Sequence, residues 1–218
     1  VQSRPLRLLS PENLVSTSSI DHAEWNFGGI VGYVSRQRFK LVASLLPRRR
    51  LHRILEVGYG SGIFVPELAA RADHVYGVDV HGRADDVTAA LARDGVAGVF
   101  VRAGAEALPY ENGTFDAVVA VSALEFVADL GATLREMSRV LQPGGRAVVV
   151  TPGDHPLLDA ALRLATGASA RRDFGNRRTA VMAAIESEMR VVASARFPRY
   201  GPLPLYRAFA LEPRGETG

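Results

Sequence analysis

The chain has no cysteine among its 218 residues. That absence excludes disulfides, thiolate metal sites and cysteine nucleophiles. Lysine is nearly missing too: of 26 basic residues, all but Lys40 are arginine. The even enrichment in arginine and alanine is read as a genomic bias rather than a binding surface. No apolar run approaches the roughly 20 residues that a membrane helix requires, so no membrane partner is expected. The first residues, Val1–Arg7, lack the charged start and long apolar core of a signal peptide, and a cytoplasmic protein is expected. The five histidines show no ligand spacing such as His-x-x-x-His, so no metal is expected. His52, His74 and His81 read as isolated surface or loop residues. The composition, 47% hydrophobic and 22% charged, is that of an ordinary globular protein, with a length that suits one domain.

What is present is a glycine loop. Residues 54–62 read Ile54-Leu55-Glu56-Val57-Gly58-Tyr59-Gly60-Ser61-Gly62, an apolar run followed by glycines at alternate positions and then a helical pattern from Ile63. Glycine permits backbone angles that other residues resist and lets a ligand approach the main chain closely. A dinucleotide fingerprint, Gly-x-Gly-x-x-Gly, requires its third glycine one place later, where Ile63 stands, so a hydride-transfer cofactor is disfavoured.

Other segments follow in order. Val75-Tyr76-Gly77-Val78-Asp79-Val80 reads as a second buried strand ending in an acid, whose carboxylate can accept charge-assisted hydrogen bonds on both oxygens. Gly104-Ala105-Glu106 comes next. Phe115–Ser122 then forms an apolar strand followed by Leu124-Glu125-Phe126, and Gln142-Pro143-Gly144-Gly145 precedes the strand Arg146–Thr151.

This ordered set resembles the class I S-adenosylmethionine-dependent methyltransferases, in particular their small type 11 group. The resemblance is close over residues 53–152 and holds only in outline in the flanks. It implies a Rossmann-like α/β fold: a seven-stranded, mostly parallel sheet with an antiparallel C-terminal strand and helices on both faces. It also implies S-adenosyl-L-methionine as cofactor, with S-adenosyl-L-homocysteine as product. The implied cofactor contacts are Glu56, Gly58, Tyr59, Gly60, Gly62, Asp79, Val80, Gly104, Ala105, Glu106 and Ser122. Among these, Gly104–Glu106 would lie on the adenine side.

The hydrophobic periodicity agrees with that fold. It predicts strands at 53–58, 74–79, 98–102, 115–121 and 146–151, and helices at 62–71, 84–94 and 130–141. Further helices are expected near 155–166 and 177–188, then a hairpin of Arg190–Phe197 and Leu205–Leu211. Ligands in such sheets bind beyond the carboxyl ends of the strands. Residues 1–47 read as an N-terminal flap and a helix over the active site, the helix running from Ile30 to Leu46 with a start weakened by Gly32. Residues 48–218 read as the core.

Catalysis is less legible. His155, in Thr151-Pro152-Gly153-Asp154-His155, is the candidate base or substrate contact; its alternative is a helix-terminal residue beside the cap Asp154. Trp25, Tyr33 and Glu125 are candidate substrate contacts, with packing as the alternative for each. His22 shares the flap. Phe126 stands where related sequences often carry histidine. Of the arginine clusters, Arg48–Arg50 with Arg53 reads as a solvated connection, while Arg171-Arg172 with Arg177-Arg178 lies where the resemblance implies a substrate lid, with an anionic substrate group as the minority reading. Neither is interleaved with aromatics as a nucleic-acid platform would be. No Asn/Asp-Pro-Pro-Tyr/Phe motif follows the fourth strand, and the missing thiolate removes the cytosine-5 mode of methylation. A small-molecule acceptor is therefore expected. A nucleic-acid or protein methyltransferase, and a non-catalytic cofactor-binding module, remain the alternatives.

Overall fold

β1 (Leu51–Val57) and β4 (Phe115–Val121) lie side by side at the centre of the sheet, and every residue of β4 is buried. An unbroken apolar run of this kind suits a parallel strand covered on both faces. The computed structural model describes residues 5–18, 22–153 and 177–214, with side chains from residue 180 onward in the last stretch. Around the central pair the order is β3-β2-β1-β4-β5-β7-β6, where β2 is Ala72–Asp79, β3 Val99–Arg102, β5 Leu141–Pro152, β6 Met189–Phe197 and β7 Tyr206–Pro213. Only β7 runs antiparallel to its neighbours. This is the seven-stranded arrangement expected from the sequence.

Side-chain alternation divides the core in two. Ile54 points to one face with Phe39 and Val42 of α1 (Gly29–Leu45), Leu68 of α2 (Val65–Ala69) and Val87 and Leu91 of α3 (Ala84–Arg93). Leu55 and Val57 point to the other, with Leu134 and Met137 of α4 (Leu130–Val140) and Val181 and Ile185 of α5 (Arg177–Glu188). Period-two strands between helical layers produce this division directly.

Three boundaries differ from expectation for local reasons. Gly32 does not delay α1, which begins at Gly29; a Cβ at Gly32 would sit 3.0 Å from the backbone of Asn26, so glycine serves a close approach inside the helix. Extended Leu46 before Pro47 then ends α1. The second helix is only Val65–Ala69, because the glycine loop occupies residues up to 64 and Pro66 starts the first turn. β5 reaches back to Leu141 through a pair with Phe115, then jumps register to Ala117↔Arg146 across the Pro-Gly-Gly turn.

The N-terminal arm is pinned along its described length. Leu9 is wholly buried and its N–H donates to the Ile63 carbonyl at 3.0 Å. Arg7 N–H reaches Glu67 at 3.0 Å, and Ser10 N–H reaches Asp94 at 2.7 Å. Two 3-10 turns, Pro11–Asn13 and Ala23–Phe27, interrupt it. The expected helix at 155–166 lies outside the described residues.

Candidate functional site

The carboxyl ends of β1, β2 and β4 meet at one edge of the sheet. Gly58, Gly60 and Gly62 follow β1 with φ of 74°, 50° and 73°, all in the left-handed region. A Cβ on Gly58 would lie 2.4 Å from the Ala123 Cβ, and one on Gly62 2.9 Å from Val87 Cγ1. The outer two glycines are thus required by the protein's own packing as well as by backbone angle, and they set the loop against the β4 exit and α3.

Asp79, the last residue of β2, fastens this loop. Its Oδ2 accepts the Gly60 N–H at 2.9 Å and its Oδ1 accepts the His81 N–H at 3.3 Å. Lone pairs remain on both oxygens for an outside donor. His81 completes the clasp: Arg83 N–H donates to its Nδ1 at 3.1 Å, which leaves Nε2–H to donate to the Gly60 carbonyl at 3.0 Å. Its side chain is 9% exposed and meets the Tyr59 ring edge-on at 4.9 Å. The isolated loop histidine of the sequence reading is therefore a support of the loop. The signal was its position two residues after Asp79.

Glu56, near the end of β1, is 2% exposed, and its Oε2 has no hydrogen-bond partner among the described residues. Burial, then the charge of Asp79, push its carboxyl up to about 8, against the lowering effect of Arg38. A buried acid without a partner is costly to keep unless something completes it. Ser122 follows β4 with φ 52°, a strained angle for a residue with a side chain, and its Oγ is likewise buried and unpartnered among the described residues. Ser61 Oγ, which the sequence reading did not select, shares that state.

The third segment is held beside Asp79 by the Ala103 N–H, which donates to the Asp79 carbonyl at 2.9 Å. Glu106 Oε1 accepts the Ala128 N–H at 2.9 Å, and its Oε2 lies 3.0 Å from where a Gly104 Cβ would stand. Ala105 is buried beneath. Other selected residues stand differently. Tyr59 turns its ring inward against His81 and Phe100; burial followed by Asp79's charge pushes its phenol up, and its buried hydroxyl has no hydrogen-bond partner among the described residues. Val80 is 68% exposed. Trp25 stacks on His22 at 4.0 Å, Tyr33 is exposed and meets Phe197 edge-on, and Glu125 is buried in a 3-10 turn after β4. His155 and Arg171-Arg172 lie outside the described residues, as do the side chains of Arg177 and Arg178.

Comparison with known proteins bears on what this edge holds. Residues 55–149 match a family model described as a methyltransferase domain. That stretch is a methyltransferase domain by sequence, on a fold of the class I, S-adenosylmethionine-dependent kind. It is 34% identical over 128 residues to the ubiquinone/menaquinone biosynthesis C-methyltransferase UbiE of Rhizobium johnstonii, covering 55% of this chain and 50% of that one. It is 33% identical over 147 residues to the 27-O-demethylrifamycin SV methyltransferase of Amycolatopsis mediterranei, covering 65% and 52%. The chain thus spans about half the length of the curated relatives it matches. Among solved structures, a geranyl diphosphate methyltransferase in complex with S-adenosylmethionine superposes with a TM-score of 0.62 at 18% identity, covering 92% of this chain and 98% of that one. At that identity the superposition speaks for the fold.

The residues on this methyltransferase edge fit the cofactor. A buried unpartnered acid, a carboxylate with spare lone pairs on a fixed loop, and a small-residue segment beside it are complementary to an ammonium, a ribose and an adenine respectively.

Proposed function

We propose that the protein transfers a methyl group from S-adenosylmethionine to a small organic acceptor with an apolar body. The observation that carries the reading is the Asp79 carboxylate bonded to the Gly60 N–H, with Glu56 buried and unsatisfied beside it. In this reading Asp79 receives the ribose hydroxyls, Glu56 the α-ammonium, and Gly104–Glu106 the edge of the base. Gly58, Gly60, Gly62 and Ser122 shape the floor. The cofactor, when bound, supplies a methyl already activated on a sulfonium. The chain's own task is then alignment and exclusion of water. No side chain has to act as a base unless the acceptor is a hydroxyl, in which case His155 takes that role.

The acceptor side is inferred from α1. Phe27, Ile30, Val31 and Tyr33 are exposed around its start. Tyr33 meets Phe197 at 6.0 Å, and Phe197 pairs with Tyr206, which pairs with Pro152 at the carboxyl end of β5. This apolar rim therefore lies at the same end of the sheet as the glycine loop. Residues 1–47 would form its cover, with Trp25 and Tyr33 at the mouth and Glu125 below, over a core of 48–218. Two relatives named for quinone and rifamycin methylation agree with a small organic acceptor.

The test is label transfer. Methyl-labelled S-adenosylmethionine is incubated with the protein and, separately, with phenols and quinols carrying apolar chains, with total RNA and with a protein extract. Label in the small molecules, lost in Asp79→Ala, is the expected result. Label in RNA or protein alone would overturn the acceptor class, and a lack of transfer despite cofactor binding would favour a binding module.

A further inference from the structure

The apolar rim at the start of α1 continues onto a second part of the chain. Phe27, Gly28, Gly29, Ile30 and Val31 are exposed in succession, Ile30 at 83%. Tyr33, one turn after Ile30, meets Phe197 edge-on at 6.0 Å, and three residues beyond Phe197 the loop after β6 presents Tyr200, 80% exposed. The start of α1 and this loop therefore form one surface at the carboxyl end of β5.

The same two parts of the chain carry cations and no acids. No aspartate or glutamate occurs between Glu24 and Glu56, or between Glu188 and Glu212, in a chain with 23 of them among 218 residues. A bias toward arginine does not by itself remove acids. Around the rim the cations rest on neutral groups. Arg36 donates to the Asn26 carbonyl and Arg196 to the Gly201 carbonyl, while Lys40 lies 5.7 Å over the Tyr33 ring and Arg199 5.6 Å over the Tyr200 ring. Such partners hold these groups in place without cancelling their charge. At the opposite end of the sheet, by contrast, Arg49, Arg50 and Arg190 pair with the carboxylates of Asp116, Asp73 and Glu212.

Exposed apolar side chains ringed by uncompensated cations are complementary to an anionic lipid surface. Aliphatic groups enter the boundary between headgroups and acyl chains, tyrosine sits at headgroup level, and arginine and lysine meet the phosphates. We propose that this rim docks the protein on an anionic bilayer, with Ile30 reaching past the headgroups and Tyr200 at their level. Among the described residues no helix is long and apolar enough to cross a membrane, and lying on one needs no such helix. Nucleic acid fits less well. Bases stack on open aromatic faces, whereas the exposed Tyr33 and Tyr200 rings are each met by a cation and the most exposed apolar side chain is aliphatic. A second copy also fits less well, since a two-fold contact would set the cations against themselves. The docking stands apart from the cofactor reading. Its consequence rests on that reading: an acceptor with an apolar chain would reach the methyl group from the bilayer side.

Cosedimentation with vesicles tests the proposal, using the full chain without cofactor. The wild type should bind phosphatidylcholine vesicles containing about one third phosphatidylglycerol, and pure phosphatidylcholine more weakly by roughly tenfold or more, because each cation near an anionic surface is worth about fivefold. Ile30→Ser with Tyr200→Ser should weaken binding to the anionic vesicles roughly tenfold. Lys40→Gln with Arg199→Gln should weaken it by a similar factor. All four side chains are exposed, so both variants should keep the wild-type melting temperature.

A wild type that ignores anionic vesicles at low salt overturns the proposal. Full binding by the Ile30 and Tyr200 variant overturns it too, because only unspecific attraction of charge would then remain. Binding of total RNA but not of vesicles, impaired in both variants, would give the rim to nucleic acid instead, and a dimer in light scattering that Ile30→Ser disperses would give it to a second copy. With no cofactor present, failure here leaves the methyl-transfer reading standing, and failure of label transfer leaves the docking standing.

Discussion

The carboxylate of Asp79, at the end of β2, accepts the backbone N–H of Gly60, in the loop after β1, at 2.9 Å. The bond spans two adjacent parallel strands and orients the acid before any ligand arrives. Removing the side chain therefore has two effects. Asp79→Ala should weaken S-adenosylmethionine binding by about 1.5–3 kcal/mol, the range for a hydrogen bond to a charged group. Asp79→Asn keeps an acceptor for Gly60 and should lose less. Calorimetric affinities of the two variants check this; unchanged affinity in the alanine variant would refute the ribose assignment.

Gly58 and Ala123 test the packing of the loop. Gly58→Ala places a Cβ 2.4 Å from that of Ala123 at a φ of 74°, so two costs combine. The variant should lose roughly 1–3 kcal/mol from the backbone angle alone, and more from the clash. Adding Ala123→Gly should restore the clash component and leave the angular one. Urea unfolding of the singles and the double separates them; strict additivity would show that the contact does not matter.

Most of the fold was legible because its signals are local. The apolar runs of β1 and β4, the acid ending β2 and the Pro-Gly-Gly turn before β5 each announce themselves within a few residues. The supports of the site were less legible because they come from elsewhere in the chain. Arg38 acts on the charge of Glu56 only because α1 packs on the sheet, and no periodicity marks it as a polar partner. His81 looked isolated because its partners, Gly60 and Tyr59, lie about twenty residues earlier in the sequence. Tyr59 sits inside the motif, yet the sequence could not show that its ring turns inward.

Glu56 predicts a pH dependence. Its folded carboxyl protonates at about 8, against an ordinary value of 4.5. Between those values the folded state holds a proton that the unfolded chain has released. The stability Glu56 contributes is thus complete below the ordinary value and is lost as pH rises toward the folded one. The melting temperature of ligand-free wild type should fall over that window relative to Glu56→Gln. An ammonium beside the carboxyl favours its ionised form, so cofactor binding near neutral pH should release a proton. Titration in two buffers of different ionisation enthalpy measures that proton, and identical apparent enthalpies would contradict the Glu56 assignment.

Asp116 gives a control at the opposite end of the sheet. This buried carboxylate accepts the N–H groups of His52 and Arg53 at 3.0 and 2.9 Å, and the Gln142 amide at 2.8 Å. Burial alone would raise its carboxyl, but the two main-chain bonds and Arg49 bring it below the usual range. Asp116→Ala should cost roughly 2 kcal/mol or more, since it strands buried donors, while leaving cofactor affinity per folded molecule unchanged. Chemical unfolding together with a ligand titration of the same variant checks both parts.

The most direct test of the account is calorimetric titration of the wild-type protein with S-adenosylmethionine, S-adenosylhomocysteine and NAD. The account predicts saturable one-to-one binding of both sulfur ligands and no heat from NAD. Binding of NAD, or of neither sulfur ligand, would contradict it.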